Sequence, residues 1–401
     1  MALVPEVCSP HVGDVVATGK LMEAPVPVVA MLCRTLGYGG AESTLVRLVG
    51  ALQEYELVVH VLHEGPAREA VRGQLQSAGA TLHEMPVLTS NPVGWLRSFS
   101  GLLRQIRPDV LHAFAPLPSV ASRVSLGLLP RRWRPALVYR EANVWPAYRW
   151  ATRIANGATF ALNDHSFAVS DAVRDSMSPR AAMRTRVLVH GLDATKLRSE
   201  QLDRAAARLR LGIPHDRLAI CSIGNLKPAK NYGLALDISA RLRDENVSFS
   251  WHIIGRGDLG LWQDRVKQRD LQEFVFFHGA MPQASVLLPA FDLYVSTSIF
   301  EGLSVAVMEA MATGLPTILS DSPGSRHLAG PESAAIVIPD GDANAFARIV
   351  KSVLSDASVR TAIGALARAR AEHFDIHAAA AVMHAAYLQC IRESSHGMRN
   401  E

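Results

Sequence analysis

Cysteine is scarce in this chain and scattered: Cys8, Cys33, Cys221 and Cys390 are far apart and form no CxxC pair. That spacing excludes a zinc ribbon and a disulfide framework, and reads as free thiols in a reducing compartment. Lysine is scarce too, at six of 41 basic residues, so arginine is the default cation. No apolar stretch of membrane-spanning length, about 18 residues, escapes charge or proline. The first 25 residues carry Glu6, Asp14, Lys20 and Glu23 with no apolar core, which argues against a signal peptide and reads as a flexible leader. The expected location is cytoplasmic, either free or peripheral on the cytoplasmic face of the membrane. Internal repeats and low-complexity runs are missing, as are the stacked aromatics beside glycines that mark RNA binding, so nucleic acid is not an expected partner.

What the chain does have is 401 residues, 49% of them hydrophobic, enough for two domains with separate cores. Short β-rich runs alternate with amphipathic helical stretches, the pattern of an α/β protein with parallel sheets. In the front half, strands are expected at 26–33, 56–62, 110–114, 136–139, 167–170 and 187–190, with helices at 42–52, 95–106 and 147–162. A second series follows a helix at 200–211, with strands at 218–223, 248–254, 275–278, 293–296, 317–320 and 335–338. This gives a leader at 1–25, a first doubly wound domain at 26–197, a second at 198–375 and a closing helix and tail at 376–401. Charge is unevenly shared. Residues 26–197 hold 19 Lys+Arg against 12 Asp+Glu, whereas 198–380 hold 19 against 20. A basic first domain suits an anionic lipid surface or a pyrophosphate-linked acceptor.

Three segments carry chemistry. Leu36-Gly37-Tyr38-Gly39-Gly40-Ala41-Glu42 follows the first strand and opens a helix, where bare backbone N–H groups at a positive helix end can meet an anion. A compact turn is the plainer reading. Asn225-Leu226-Lys227-Pro228-Ala229-Lys230 follows the first strand of the second series, and two of the rare lysines there suit a diphosphate. In Phe300-Glu301-Gly302-Leu303-Ser304, Glu301 is expected in a loop and Gly302 to Ser304 at the start of a helix, with Glu309 inside its otherwise apolar run, 305–312. A carboxylate there needs donors, either sugar hydroxyls or a buried arginine. A loop Glu, a helix start and a second Glu make a cradle for a glycosyl diphosphate.

Together, Gly39-Gly40-Ala41-Glu42, Lys230, Glu301-x7-Glu309 and Glu309-Ala310-Met311-Ala312-Thr313-Gly314-Leu315-Pro316 resemble the retaining GT-B glycosyltransferases of family 4, over residues 28 to 390. The resemblance implies two Rossmann-like doubly wound domains facing a central cleft. It also implies front-face transfer from a nucleotide diphosphate sugar, UDP preferred over GDP, with no metal and no further cofactor. It puts Gly39 and Gly40 near the diphosphate, Lys230 on the diphosphate, Glu301 on the sugar and Glu309 on the ribose. Asn225, Lys227, Gly255, Gly279, Gly302, Leu303 and Ser304 complete the expected donor site. Two departures stand out: Asn225 replaces the usual arginine, and Phe114 stands where many members carry histidine. His112 is then the remaining histidine for catalysis.

Arg140, Glu141 and Asn143 follow a strand where acceptor-side loops are expected. Gly255-Arg256-Gly257-Asp258-Leu259-Gly260 matches GxGxxG, but the next strand ends without the acid a dinucleotide ribose requires. Asp340-Gly341-Asp342 mimics a metal-binding DxD, with Asp342 expected to cap a helix. Trp95, Phe99, Leu102, Leu103 and Ile106 share one helix face, and Arg131-Arg132-Trp133-Arg134 adds a basic aromatic cluster. Either could dock on anionic lipid, or the helix could pack in the core. The expected partners are a nucleotide sugar and a glycan or lipid-linked acceptor. A sugar-nucleotide epimerase of the same fold and a non-catalytic glycan-binding relative are the alternatives.

Overall fold

The computed structural model describes residues 26–397 apart from 38, 128, 131 and 132. The proposed leader, and Arg131 and Arg132 of the basic cluster, lie outside the described residues. The first sheet comprises β1 (Val28–Cys33), β2 (Val58–Glu64), β3 (Thr81–Met85), β4 (Val110–Phe114), β5 (Ala136–Glu141), β6 (His165–Ala168) and β7 (Thr185–Val187). Its helices are α1 (Gly40–Leu52), α2 (Glu69–Ser77), α3 (Pro92–Ile106), α4 (Pro116–Gly127), α5 (Trp150–Thr159), α6 (Asp171–Asp175) and α7 (Pro179–Met183). After α8 (Ala194–Ser199) and α9 (Arg204–Leu211), the second sheet comprises β8 (Leu218–Ile223), β9 (Phe249–Ile254), β10 (Val275–Gly279), β11 (Leu293–Ser296), β12 (Thr317–Ser320) and β13 (Ile336–Ile338). Its helices are α10 (Tyr232–Asp244), α11 (Leu259–Gln268), α12 (Val305–Ala312), α13 (Pro323–Ala329), α14 (Ala343–Ser355) and α15 (Ala357–Ala371), and α16 (Ile376–Gly397) ends the described chain.

Every pairing between these strands is parallel, in the orders β3-β2-β1-β4-β5-β6-β7 and β10-β9-β8-β11-β12-β13. The fold is therefore the expected α/β pair of doubly wound sheets. Each order reverses once, between β1 and β4 and between β8 and β11, and such reversals open a crevice at the carboxyl ends of the strands. Strands buried on both faces read as continuous apolar runs, which made β1 and β8 legible.

Several elements differ from expectation. β3 is an edge strand with only Met85 buried, so it lacks an apolar signature. α4 is not among the expected helices; it opens with Pro116 and Pro118, and proline is compatible with a first helical turn. The stretch 200–211 divides because Asp203 caps a new helix at Arg204. Trp95, Phe99 and Leu103 of α3 are core residues, so that face is not available to lipid.

The chain crosses between domains twice, and the crossings touch. Leu192 N donates to Phe374 O at 2.6 Å, and Ile376 N to Leu192 O at 3.3 Å. Beyond the second crossing α16 packs on α1, β4 and β5. Its Ile376, Ala380, Met383, Tyr387 and Cys390 share a core with Val29, Met31, Leu45, Val110 and Phe167.

Candidate active site

Both sheet reversals deliver the sequence motifs to one interface. Gly39 and Gly40 follow β1, Lys230 follows β8, and Glu301 follows β11. Gly39 is the N-cap of α1, and without a side chain it offers no capping bond. A Cβ there would stand 2.6 Å from Glu42 Oε2, so the missing side chain lets Glu42 fold back over the loop and accept from Thr35 Oγ1. α12 spans Val305–Ala312, as expected, with Gly302 to Ser304 leading into it. Its N-cap, Ser304, makes no side-chain capping bond. The two helix starts meet: a Cβ on Gly40 would lie 3.5 Å from Val305 Cγ2. Two positive helix ends, one from each domain, thus converge on one place.

Beside them Lys230 Nζ is bonded to Glu301 Oε1, with both side chains about four-fifths buried. Thr297 Oγ1 donates to Lys230 O at 2.8 Å, and Gly324 N to Glu301 O at 3.0 Å, which fixes the backbone on either side of the pair. Asn225 spends its side chain locally, accepting from Arg256 N at 3.3 Å, and Lys227 is exposed. Gly255 packs on backbone: its Cβ would fall 1.8 Å from Gly224 O. Gly255 N donates to Gly279 O at 2.8 Å. The GxGxxG match is therefore a close strand-to-strand fit, with Asp258 capping α11.

The cleft is shut across the domains. Ser170 Oγ donates to Gly302 O at 3.0 Å. Arg47, on α1, bonds Glu309 on α12, so the arginine-paired reading of that buried carboxylate is the one realised here. Sequence reasoning missed Arg47; its signal was a lone arginine two turns after Gly40, among Leu45, Val46, Leu48 and Val49. His190 is buried with its pKa well below the usual value, because of burial, then Arg140, then Arg47. His190 Nδ1 lies 3.2 Å from Arg140 Nη2. Burial also lowers the Arg140 pKa to about 10.

The chain from 203 to 370 matches the family described as "Glycosyl transferases group 1", and residues 39–193 match "Glycosyl transferase 4-like domain". It belongs to the group 1 glycosyltransferases. The lipopolysaccharide core biosynthesis glycosyltransferase LpsE of Rhizobium meliloti is 23% identical over 341 residues, 80% of this chain and 88% of LpsE. An Escherichia coli enzyme, UDP-Gal:alpha-D-GlcNAc-diphosphoundecaprenol alpha-1,3-galactosyltransferase, is 22% identical over 281 residues, 65% of this chain and 70% of that one. The Anabaena HepE structure in complex with UDP and glucose superposes with a TM-score of 0.78 at 17% identity, covering 90% of this chain and 100% of HepE. The architecture is thus GT-B.

Three sites expected of this glycosyltransferase need correction. His112 is buried in β4, stacked on Phe114 with ring centroids 4.1 Å apart, and shares a 2.7 Å hydrogen bond with Tyr387 of α16. Burial holds its pKa well below the ordinary value, with Arg140 adding to the effect. A neutral imidazole sealed under the last helix is a core residue rather than a catalytic one. His112→Leu should lower stability by about 1–3 kcal/mol, the cost of leaving the Tyr387 hydroxyl unpaired, and leave transfer unchanged; a melting curve beside an activity assay checks this. Arg140 and Glu141 are not on an acceptor loop either, since both are buried at the end of β5. Glu141 accepts from the hydroxyls of Tyr139 and Tyr148, from Trp145 Nε1 and from the Ala142 and Asn143 N–H groups. That carboxylate is saturated and organises the loop that follows. Asn143, half-buried, lies in that loop, and its Oδ1 accepts from Val144 N at 2.9 Å. Asp342 caps α14 through Asn344 N, and among the described residues no cluster of three His, Cys, Asp or Glu could hold a metal.

Proposed function

We propose that this enzyme transfers a sugar, with retention of configuration, from a UDP-sugar to a lipid-linked glycan during polysaccharide or glycolipid synthesis, without a metal ion. The observation that carries the reading is the meeting of the α1 and α12 amino termini beside Lys230. As the glycosidic bond breaks, negative charge develops on the departing diphosphate, and donors aimed at that charge lower the barrier. Donor binding draws Lys230 onto the diphosphate and frees Glu301 to accept hydrogen bonds from sugar hydroxyls. The ribose takes Glu309 from Arg47. The leaving phosphate oxygen accepts the acceptor's proton on the same face, a step that needs no histidine.

HepE bound to UDP and glucose supports the choice of base over GDP. The diphosphoundecaprenol acceptor in the name of the Escherichia coli relative supports a lipid-linked acceptor. The test is to offer a panel of UDP- and GDP-sugars with a polyprenyl-diphosphate-linked acceptor, and to determine the anomeric configuration of the product. Full activity is expected in EDTA. Inversion, or loss in EDTA reversed by manganese, would contradict the retaining, metal-free reading. Epimerisation of the free donor without transfer would select the epimerase instead.

A further inference from the structure

An exposed apolar face on the first domain has no use in the donor chemistry. On α5 and the turn after it, Trp150 is 74% exposed, Ile154 63% and Leu162 56%, and Val124 of the adjoining α4 is 54% exposed. Trp150 and Ile154, four residues apart on α5, share one side of that helix, and Leu162 lies past its end. Exposed Arg149 and Arg153 flank them. Neither arginine has a carboxylate partner among the described residues, and Arg134, also exposed, lies between α4 and β5. Acid is sparse: between Asp109 and Asp164 the sole carboxylate is the buried Glu141.

We propose that this α4–α5 face docks the enzyme on an anionic lipid bilayer. Grouped apolar side chains framed by arginine fit an interface where apolar groups enter the acyl boundary and cations meet headgroup phosphates. Tryptophan favours that boundary because one end of its ring system is apolar and the other can hydrogen-bond. A symmetric second copy fits less well, since a two-fold contact would set Arg149 and Arg153 against themselves. The position is functional. In a β–α–β unit the helix begins at the carboxyl edge of the sheet, so Trp150 stands on the cleft side. The loop leading to it touches the second domain, where a Cβ on Gly302 would meet Ala142 O at 2.3 Å. Docking here would bring the cleft mouth to the lipid surface.

The biological sense of this face rests on the lipid-linked acceptor proposed above, but binding can be read without any transfer. The whole protein is sedimented with phosphatidylglycerol vesicles and with phosphatidylcholine vesicles, at low and high salt. Wild type should bind the anionic vesicles. Trp150→Ser with Ile154→Ser should weaken that binding at least about tenfold, and Arg149→Ser with Arg153→Ser at least about fivefold at low salt. Melting curves and donor hydrolysis should match wild type in both. Wild-type affinity in the Trp150/Ile154 variant, no vesicle binding by wild type, or a dimer that the same substitutions dissociate would each overturn the proposal. Vesicle binding without transfer to a lipid-linked acceptor would sustain this surface and reject the acceptor assignment.

Discussion

Lys230→Ala and Glu301→Ala should each lower transfer at least about a hundredfold, the scale of removing one charge-stabilising group from an active site. The two side chains hold one another in the cleft, which keeps both charges compensated. Neither belongs to a hydrophobic core, so melting temperature should change little. The variants should differ in kind. On the proposed mechanism Lys230 faces the leaving diphosphate, so its loss should weaken UDP binding as well as turnover. Loss of Glu301 should spare UDP and penalise the intact sugar donor. Calorimetric titration with UDP beside an initial-rate assay separates the two, and near-normal turnover in either variant removes that residue from the mechanism.

Gly302→Ala should be nearly as damaging, for a steric reason. A methyl at this position would lie 2.3 Å from Ala142 O and 3.0 Å from Val173 Cγ2, and both of those groups belong to the other domain. The nearest atoms all lie across the domain boundary, so what the methyl blocks is the approach of the two domains. Misplacing reacting groups by about 1 Å can cost about a hundredfold in rate. The expected result is a large fall in kcat with UDP affinity held within a few-fold, and a larger radius of gyration in solution scattering with donor present. Wild-type kcat would show that the contact between Gly302 and Ala142 is not needed for chemistry.

Much of the fold was legible because parallel strands buried on both faces leave near-continuous apolar runs, as in β1 and β8. β3 was not legible, since an edge strand with one buried residue leaves no such run. In the site, local spacing revealed the glycine loop, Lys230 and Glu301, whose positions depend on their own strand ends. It did not reveal Arg47, whose partner Glu309 is 262 residues away. His112 misled for the same reason: being sealed under Tyr387 depends on a helix 275 residues later. Glu141 looked like a free polar group because its donors Trp145 and Tyr148 are aromatic residues, read as packing before their polar ends are considered.

The return of α16 to the first domain has a consequence for synthesis. Ile376, Met383 and Tyr387 complete the core around α1, so that core stays open until α16 has left the ribosome. The second domain, with its sheet formed by residues between Leu218 and Ile338, can close first. A nascent chain stalled before Ile376 would present an apolar side of α1 with nothing to cover it, and would be a natural client for chaperones.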